Sequence, residues 1–336
     1  MSRVILRSTF VLSVLCSRCY FVDAKSAPTR FEKRQTTTYT LEDMYQGESF
    51  FNDWNFFSEP DPTQGLVDYQ TRENALSRGL AFVQDGVTVL AVDNTTTVPT
   101  GSNRASVRIE SKTHYTTGLF IADFVATPFG CSTWPAWWSY GHTDYPNSGE
   151  LDVIESVNEL SSNFLTFWRA GSAQCTFPTS SHGSATGSIT DESKCTESTT
   201  DQINCAFEDG SGSGWGEGFN NAGGGVYAHL INAEGIKIWH FPRANIPVDI
   251  ANKNPNPSSW GAPVAQWGSD SCNVLERIVD HTLTINTSLC GSWAGDDDVW
   301  STSGCPGSCA ETVANPENFH NARWKINYIA VYQAAT

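Results

Sequence analysis

The sequence predicts an all-β fold, a sandwich of antiparallel sheets. Three observations predict it. Short segments either alternate apolar with polar residues or run apolar throughout. Gly, Ser, Asn and Pro fill the connections between them. Helical periodicity over long stretches is absent.

The elements follow in chain order. Residues 105–110 (ASVRIE) alternate, as a half-buried strand does. Residues 119–125 (LFIADFV) read as a buried strand. Residues 226–231, a turn at 232–235, and residues 236–241 read as a hairpin. Residues 324–332 (WKINYIAVY) read as a closing strand. Segments 171–225 and 251–271 are rich in Ser, Thr, Gly and Asn, but each carries cysteines or tryptophans. They are expected to be long ordered loops of one domain rather than linkers. No internal repeat is visible.

Composition bounds the function. With 39% hydrophobic and only 17% charged residues, the chain can bury a sizeable core and lacks the charge density of a disordered one. Its first residues look like a targeting segment: Arg3 and Arg7, an apolar stretch at 10–16, and small-residue cleavage at Val22-Asp23-Ala24. The stretch is too short to span a bilayer. Lys33-Arg34 is a dibasic pair, read either as a processing site or as chance. The expected organisation is a signal peptide at 1–24, a propeptide at 25–34 and a single catalytic β-sandwich domain at 35–336. No other stretch is apolar enough for a membrane helix. The mature protein is expected to be secreted, soluble and monomeric.

The formal net charge is −16; without residues 1–34, 13 basic and 34 acidic residues remain, giving −21. So acidic a surface repels phosphate backbones, which excludes nucleic acid as a partner. It also disfavours anionic polysaccharides, and a neutral substrate fits better.

Of 10 cysteines, Cys16 and Cys19 fall in the targeting segment. The remaining even set (Cys131, Cys175, Cys195, Cys205, Cys272, Cys290, Cys305 and Cys309) points to disulfides in a secreted chain. Zinc is the competing reading. Only Cys305 and Cys309 have ligand-like spacing, and no spaced histidines complete a site. Spacing does not assign the pairs. Asn94 and Asn286 head N-glycosylation sequons, which would place both on the surface if used.

The chemistry concentrates in 150–155 (ELDVIE), where three carboxylates sit among aliphatic residues. In a strand Glu150 and Asp152 share one face, opposite Leu151 and Val153. A regular strand would put Glu155 on the wrong face. One extra residue, a β-bulge near Ile154, returns it to the face of Glu150. The two glutamates would then flank Asp152 with Cα atoms on the order of 13 Å apart. Leaning inward, their carboxyls could reach about 5–5.5 Å, the separation of retaining glycosidases. Clustered acids resist simultaneous ionisation, which raises at least one pKa and supplies an acid. The competing readings are a solvated polar face and calcium ligation. The aliphatic neighbours and the lack of Asn/Asp loop spacing weigh against calcium.

At these residues the sequence resembles glycoside hydrolase family 16, in particular its fungal laminarinase-like endo-β-1,3(4)-glucanases. The family's E-x-D-x-x-E motif stands here as Glu150, Asp152 and Glu155. The likeness extends upstream to 106–112 (SVRIESK), 118–124 (GLFIADF) and 134–138 (WPAWW). Downstream it takes in 223–228 (GGGVYA), 236–239 (IKIW), 241–243 (FPR), 258–261 (SSWG), 289–295 (LCGSWAG) and 324–333. It covers roughly residues 39–333. The resemblance implies a β-jelly-roll with a concave substrate cleft, hydrolysis with retention, a β-glucan substrate and no cofactor. It implies Glu150 as nucleophile, Glu155 as acid/base and Asp152 as the acid that tunes the nucleophile.

Aromatic and polar residues near the motif are the substrate-binding candidates. Indole rings cover the apolar C–H faces of sugars. By position in the family pattern, Trp138 is the expected sugar platform, Trp293 resembles a cleft tryptophan and Tyr145 stands where a tryptophan is usual. Trp134, Trp137, Trp239 and Trp324 are expected in the core. Arg108 could bind sugar hydroxyls or form a structural ion pair. Asn220, before the triple glycine, is a further candidate. Trp168 occupies the place of a histidine usual in the family; an indole neither titrates nor accepts a hydrogen bond there. His229 is expected to face outward or to be satisfied. A transglycosylase and a low-activity glucan-binding protein remain rival readings. The first would use the same glutamates, and the second would be expected to lose one.

Overall fold

The computed structural model describes residues 37–170, 175–197 and 202–335. The expected signal peptide and propeptide, with Cys16 and Cys19, lie outside the described residues.

Two eight-stranded antiparallel sheets face each other. The first runs Ser188–Ile189, Ile203–Asp209, Asn163–Arg169, Glu150–Glu155, Thr133–Gly141, His281–Leu289, Arg108–Tyr115, Trp54–Phe57. The second runs Ala265–Gly268, Gly235–Pro242, Gly225–Asn232, Gly118–Ala126, Arg323–Ala334, Val87–Ala91, Ala81–Gln84, and Tyr39–Gln46 also pairs with Arg323–Ala334. This is the expected jelly-roll sandwich. Its core lies between the sheets, with Trp137, Leu151, Ile154 and Phe167 packed toward Phe120, Phe124, Tyr227 and Trp267.

The continuous apolar run at 119–125 has a physical cause. Phe120, Ala122 and Phe124 join the core between the sheets, while Leu119 and Ile121 join a second cluster with Val226, Trp239 and Trp260 on the other face. A strand covered on both faces has no reason to alternate. The hairpin and the closing strand form as the pattern predicts, at Gly225–Asn232 with Gly235–Pro242 and at Arg323–Ala334.

Segments 171–225 and 251–271 are more than loops. They contain the strands Ile203–Asp209 and Ala265–Gly268 and the short helices Glu192–Thr196 and Gly216–Asn221. In Ile203–Asp209, Ile203, Cys205 and Phe207 are buried while Asn204 and Glu208 are half-buried. That alternation was hidden by the polar composition around it.

All eight cysteines pair, as Cys131–Cys305, Cys175–Cys272, Cys195–Cys205 and Cys290–Cys309. Cys305 and Cys309 belong to different bridges, which removes the zinc alternative for that pair. His182 lies near Cys195 and Cys205, but both sulfurs are bonded to each other and offer no thiolate.

His229 corrects an expectation. It is neither outward nor satisfied. It lies between the sheets, stacked on Phe120 with centroids 4.5 Å apart, and among the described residues neither ring nitrogen has a partner. Burial, with His281 nearby as the lesser cause, lowers its pKa to about 3. Below the ordinary histidine range the unfolded chain takes up a proton that the folded chain refuses until about pH 3. Stability therefore falls as pH drops through that window, by about 2 kcal/mol at pH 5 relative to pH 7. His229→Leu removes this loss and an unpaired polar ring. Thermal melts should show a higher Tm for the variant, with a larger gain at pH 5 than at pH 7. A pH-independent difference would contradict this account.

Candidate active site

The site grows from the strand Glu150–Glu155. On one side Glu150 lies opposite Trp168 and Asp152 opposite Thr166; on the other, Glu150 lies opposite Tyr140 and Asp152 opposite Trp138. The register with Thr133–Gly141 then shifts: Asp152 pairs with Trp138 and Ile154 with Trp137, so Val153 is the extra residue of a bulge. Leu151, Val153 and Ile154 all enter the core. Glu150, Asp152 and Glu155 emerge together on the opposite face.

A bulge disrupts the ladder, and its backbone groups need other partners. Asn163, fully buried, supplies them. Its Oδ1 accepts the Glu155 N–H at 2.8 Å, and its Nδ2 donates to the Val153 carbonyl at 3.0 Å. The other end of the strand is fixed as tightly. Gly149 sits at φ +76°, and a Cβ there would collide with the carbonyl oxygen of Arg277. His281, also buried, donates from Nε2 to the Ser148 carbonyl at 2.7 Å and accepts the Ser139 hydroxyl at Nδ1.

Each acid has its own donor. Trp134 donates its indole N–H to Glu155 Oε1 at 2.8 Å. Trp168 donates to Asp152 Oδ2 at 3.1 Å. The Tyr145 hydroxyl meets Glu150, and Gln202 donates to that hydroxyl at 3.0 Å. Burial raises all three carboxyl pKa values. For Glu150, Tyr145 and Arg108 oppose the rise. For Glu155, Trp134 opposes it and the charge of Glu150 adds to it. For Asp152, Glu155 and Glu150 both add to it, against Trp168.

A cavity of about 360 Å³ opens over the acids. Its walls include Phe57, Trp134, Trp138, Tyr140 and Tyr145, with Asp61, Arg108, Asn286 and Ser288 as polar groups. Trp138 is in the wall, its N–H held by Asn286 Oδ1 at 2.7 Å. Arg108 forms the structural ion pair and also reaches the cavity. It pairs with Glu110 at 2.8 Å and lies over the rings of Phe57 and Trp138 while lining the cavity. Half-buried Trp293 is not among the residues lining this cavity; it packs edge-on against Trp134 and against Phe164.

Three expectations are corrected. Trp134 is not a core residue, because it shares the cleft face with Ala136, Trp138 and Tyr140, whereas Trp137 is fully buried on the other face. Period-two alternation from Trp138 would have placed Trp134 and Tyr140 correctly. Asn220 is not brought to the cavity; its side chain exchanges two hydrogen bonds with the backbone of Thr127. Asn286 is not a surface acceptor. It is 8% exposed within the strand His281–Leu289, held between Trp138 and Tyr69. The alternation in 282–289 (TLTINTSL) carried that signal. Asn163 had no signal in the local pattern.

The sequence profile of the XgeA-like catalytic domain of glycoside hydrolase family 16 matches residues 54–332. A probable endo-1,3(4)-β-glucanase of Neosartorya fischeri is 42% identical over 317 residues, covering 91% of this chain and 47% of the relative. The chain thus spans about half the length of the curated relatives it matches first. Laminarinase 16A of Phanerochaete chrysosporium, solved with β-glucans in donor and acceptor sites, is 37% identical with a TM-score of 0.82, covering 88% of this chain and 100% of that one. A family 16 elongating β-1,3-glucosyltransferase is 35% identical with a TM-score of 0.79, over 88% and 100% of the two chains. The fold, the bulged strand of three acids and these matches agree, and the chain belongs to glycoside hydrolase family 16.

Proposed function

We propose that this domain is a secreted, endo-acting, retaining β-glucanase that cleaves β-1,3 or mixed β-1,3/1,4-glucan by double displacement. One observation carries the proposal: the Val153 bulge sets Glu150, Asp152 and Glu155 on one face beneath an aromatic-walled cavity. Glu150 attacks the anomeric carbon while Glu155 protonates the departing glycosidic oxygen. The product chain leaves with that proton, and the sugar stays esterified to Glu150. Glu155, now ionised, takes a proton from water, whose oxygen attacks the same carbon and releases Glu150. Asp152 lies between them and tunes the charge they share. Trp138 and Tyr145 offer sugar-binding surface, and Trp134 adds one that the sequence pattern assigned to the core.

The electrostatics support this division of roles. Arg108 and Tyr145 favour the ionised form of Glu150, as a nucleophile needs. Glu155 faces the charge of Glu150, which favours keeping its proton. The relatives' names support the substrate class. The similarity to an elongating glucosyltransferase, together with the aromatic residues Phe164 and Trp168 on the far side of the acids, supports a second reading in which a sugar rather than water accepts the glycosyl group. Incubation with laminarin, lichenan, xyloglucan, agarose and chitin, with products identified by linkage, tests both. Chains longer than the donor would indicate transfer.

Glu150→Gln and Glu155→Gln should each lower kcat on laminarin by roughly 10²–10⁴-fold or more, with binding retained. Near-normal turnover in either variant would sink the assignment. The activity profile should be bell-shaped. Activity rises with pH as Glu150 ionises, and falls as Glu155 loses its proton. Both limbs should lie above the ordinary carboxylate range, because burial raises both groups. With an activated aryl glycoside, whose departure needs no acid, Glu155→Gln should lose the alkaline limb of the glycosylation step. Persistence of that limb would assign it to another group.

A further inference from the structure

We propose that Trp168 is a positioning residue: its indole N–H commits Asp152 Oδ2 as an acceptor, leaves Oδ1 to carry the Asp152 proton, and so directs that proton toward the flanking glutamates. The inference rests on the catalytic pair proposed above.

Trp168 is the register neighbour of Glu150 on the strand Asn163–Arg169, and it reaches past Glu150 to Asp152, with Nε1 3.1 Å from Oδ2. Asp152 is only 2% exposed. Among the described residues, the groups acting on it are the carboxyls of Glu155 and Glu150 and this one N–H. Arg108 and Tyr145 act instead on Glu150, and Trp134 on Glu155.

Three crowded carboxyls do not all ionise, and the most enclosed of them is the one to stay neutral. A neutral carboxyl has one oxygen that bears hydrogen and one that does not. An indole N–H can only donate, so it selects the oxygen without hydrogen. With Oδ2 so engaged, the hydroxyl is Oδ1–H, and the acceptors flanking it are the two glutamates. That hydroxyl turns the positive end of its dipole toward the glutamates and stabilises Glu150 whenever it is ionised: before attack, and again as the glycosyl ester breaks. The proton never leaves Asp152, so the reaction's atom balance is unchanged. A histidine in the same place could donate or accept according to its tautomer and would titrate in the working range. An indole only donates and does not titrate.

The test compares Trp168→Phe and Trp168→His with the parent domain on laminarin across pH, with Tm measured for each. Trp168→Phe should lower kcat about tenfold, the equivalent of one hydrogen bond of about 1.4 kcal/mol. KM should stay within about twofold, and the acidic limb should move to higher pH because ionised Glu150 loses support. Trp168→His should recover part of the lost kcat and add a third ionisation to the profile. Wild-type kcat and pH profile in Trp168→Phe would overturn the proposal. A rise in KM alone would also overturn it and mark Trp168 as a sugar platform. Should Trp168→Phe fail to fold, Trp168→His decides: an unaltered two-ionisation profile overturns the proposal. Glu150→Gln and Glu155→Gln run alongside. Activity in those variants would sink the catalytic pair itself, whereas their inactivity with a silent Trp168 would sink only the role assigned to the indole.

Discussion

The site depends on one backbone irregularity, the extra residue at Val153. A strand of strict period two would carry Glu155 into the core beside Leu151 and Val153. Burying an unpaired carboxyl among aliphatic side chains is costly enough that the chain would refuse that register. The bulge lets two successive aliphatic residues, Val153 and Ile154, enter the core together and returns Glu155 to the cleft. Its cost is a broken ladder, offset by the buried Asn163 amide, which occupies both the Glu155 N–H and the Val153 carbonyl. Packing behind the strand and chemistry in front of it are therefore set by the same residue.

Everything next to that strand is arranged to hold its ends still. Gly149 is required by its positive φ and by the approach of the Arg277 carbonyl. His281, with its pKa lowered to about 4 by burial, stays neutral and keeps its Nε2–H on the Ser148 carbonyl. The crowding of three acids works against stability, as active sites commonly do. The opposing contributions lie elsewhere, in the core between the sheets and in four disulfides. Cys131–Cys305 links positions 174 residues apart, and Cys175–Cys272 positions 97 apart.

Much of this was legible in the sequence, because period two is a local signal. It predicted the sandwich, the hairpin, the face shared by Glu150 and Asp152, and the need for a bulge. The strand Ile203–Asp209 escaped notice because its alternation sits inside a Ser/Thr/Gly-rich stretch. Trp134 was missed for a different reason. A tryptophan's residue type alone does not tell cleft from core, whereas strand alternation does: Trp138 in the cleft forces Trp134 and Tyr140 to the same face. Asn163, Asn220 and His229 were not legible at all. What an amide or an imidazole does depends on which backbone groups or rings lie across the fold from it, and that is long-range information. Asn163 repairs a bulge, Asn220 ties down Thr127, and His229 lies unsatisfied between two sheets.

The two glutamates are chemically identical, so their separate roles must come from what surrounds them. The surroundings differ in sign. Glu150 has Arg108, from the strand Arg108–Tyr115 across the cleft face, and a tyrosine hydroxyl, and both favour its charge. Glu155 has, among the described residues, one indole N–H and no cation acting on it, and it faces the charge of Glu150. When one of the pair ionises, Glu150 is the one better supported, and its charge then holds the proton on Glu155 more firmly. The asymmetry reinforces itself, and it follows from Arg108, Tyr145 and Trp134 rather than from the order of residues in the motif. Exchanging the surroundings would exchange the roles. That is why the residues that face Glu150 and Glu155 across the cleft matter to the chemistry as much as the acids themselves.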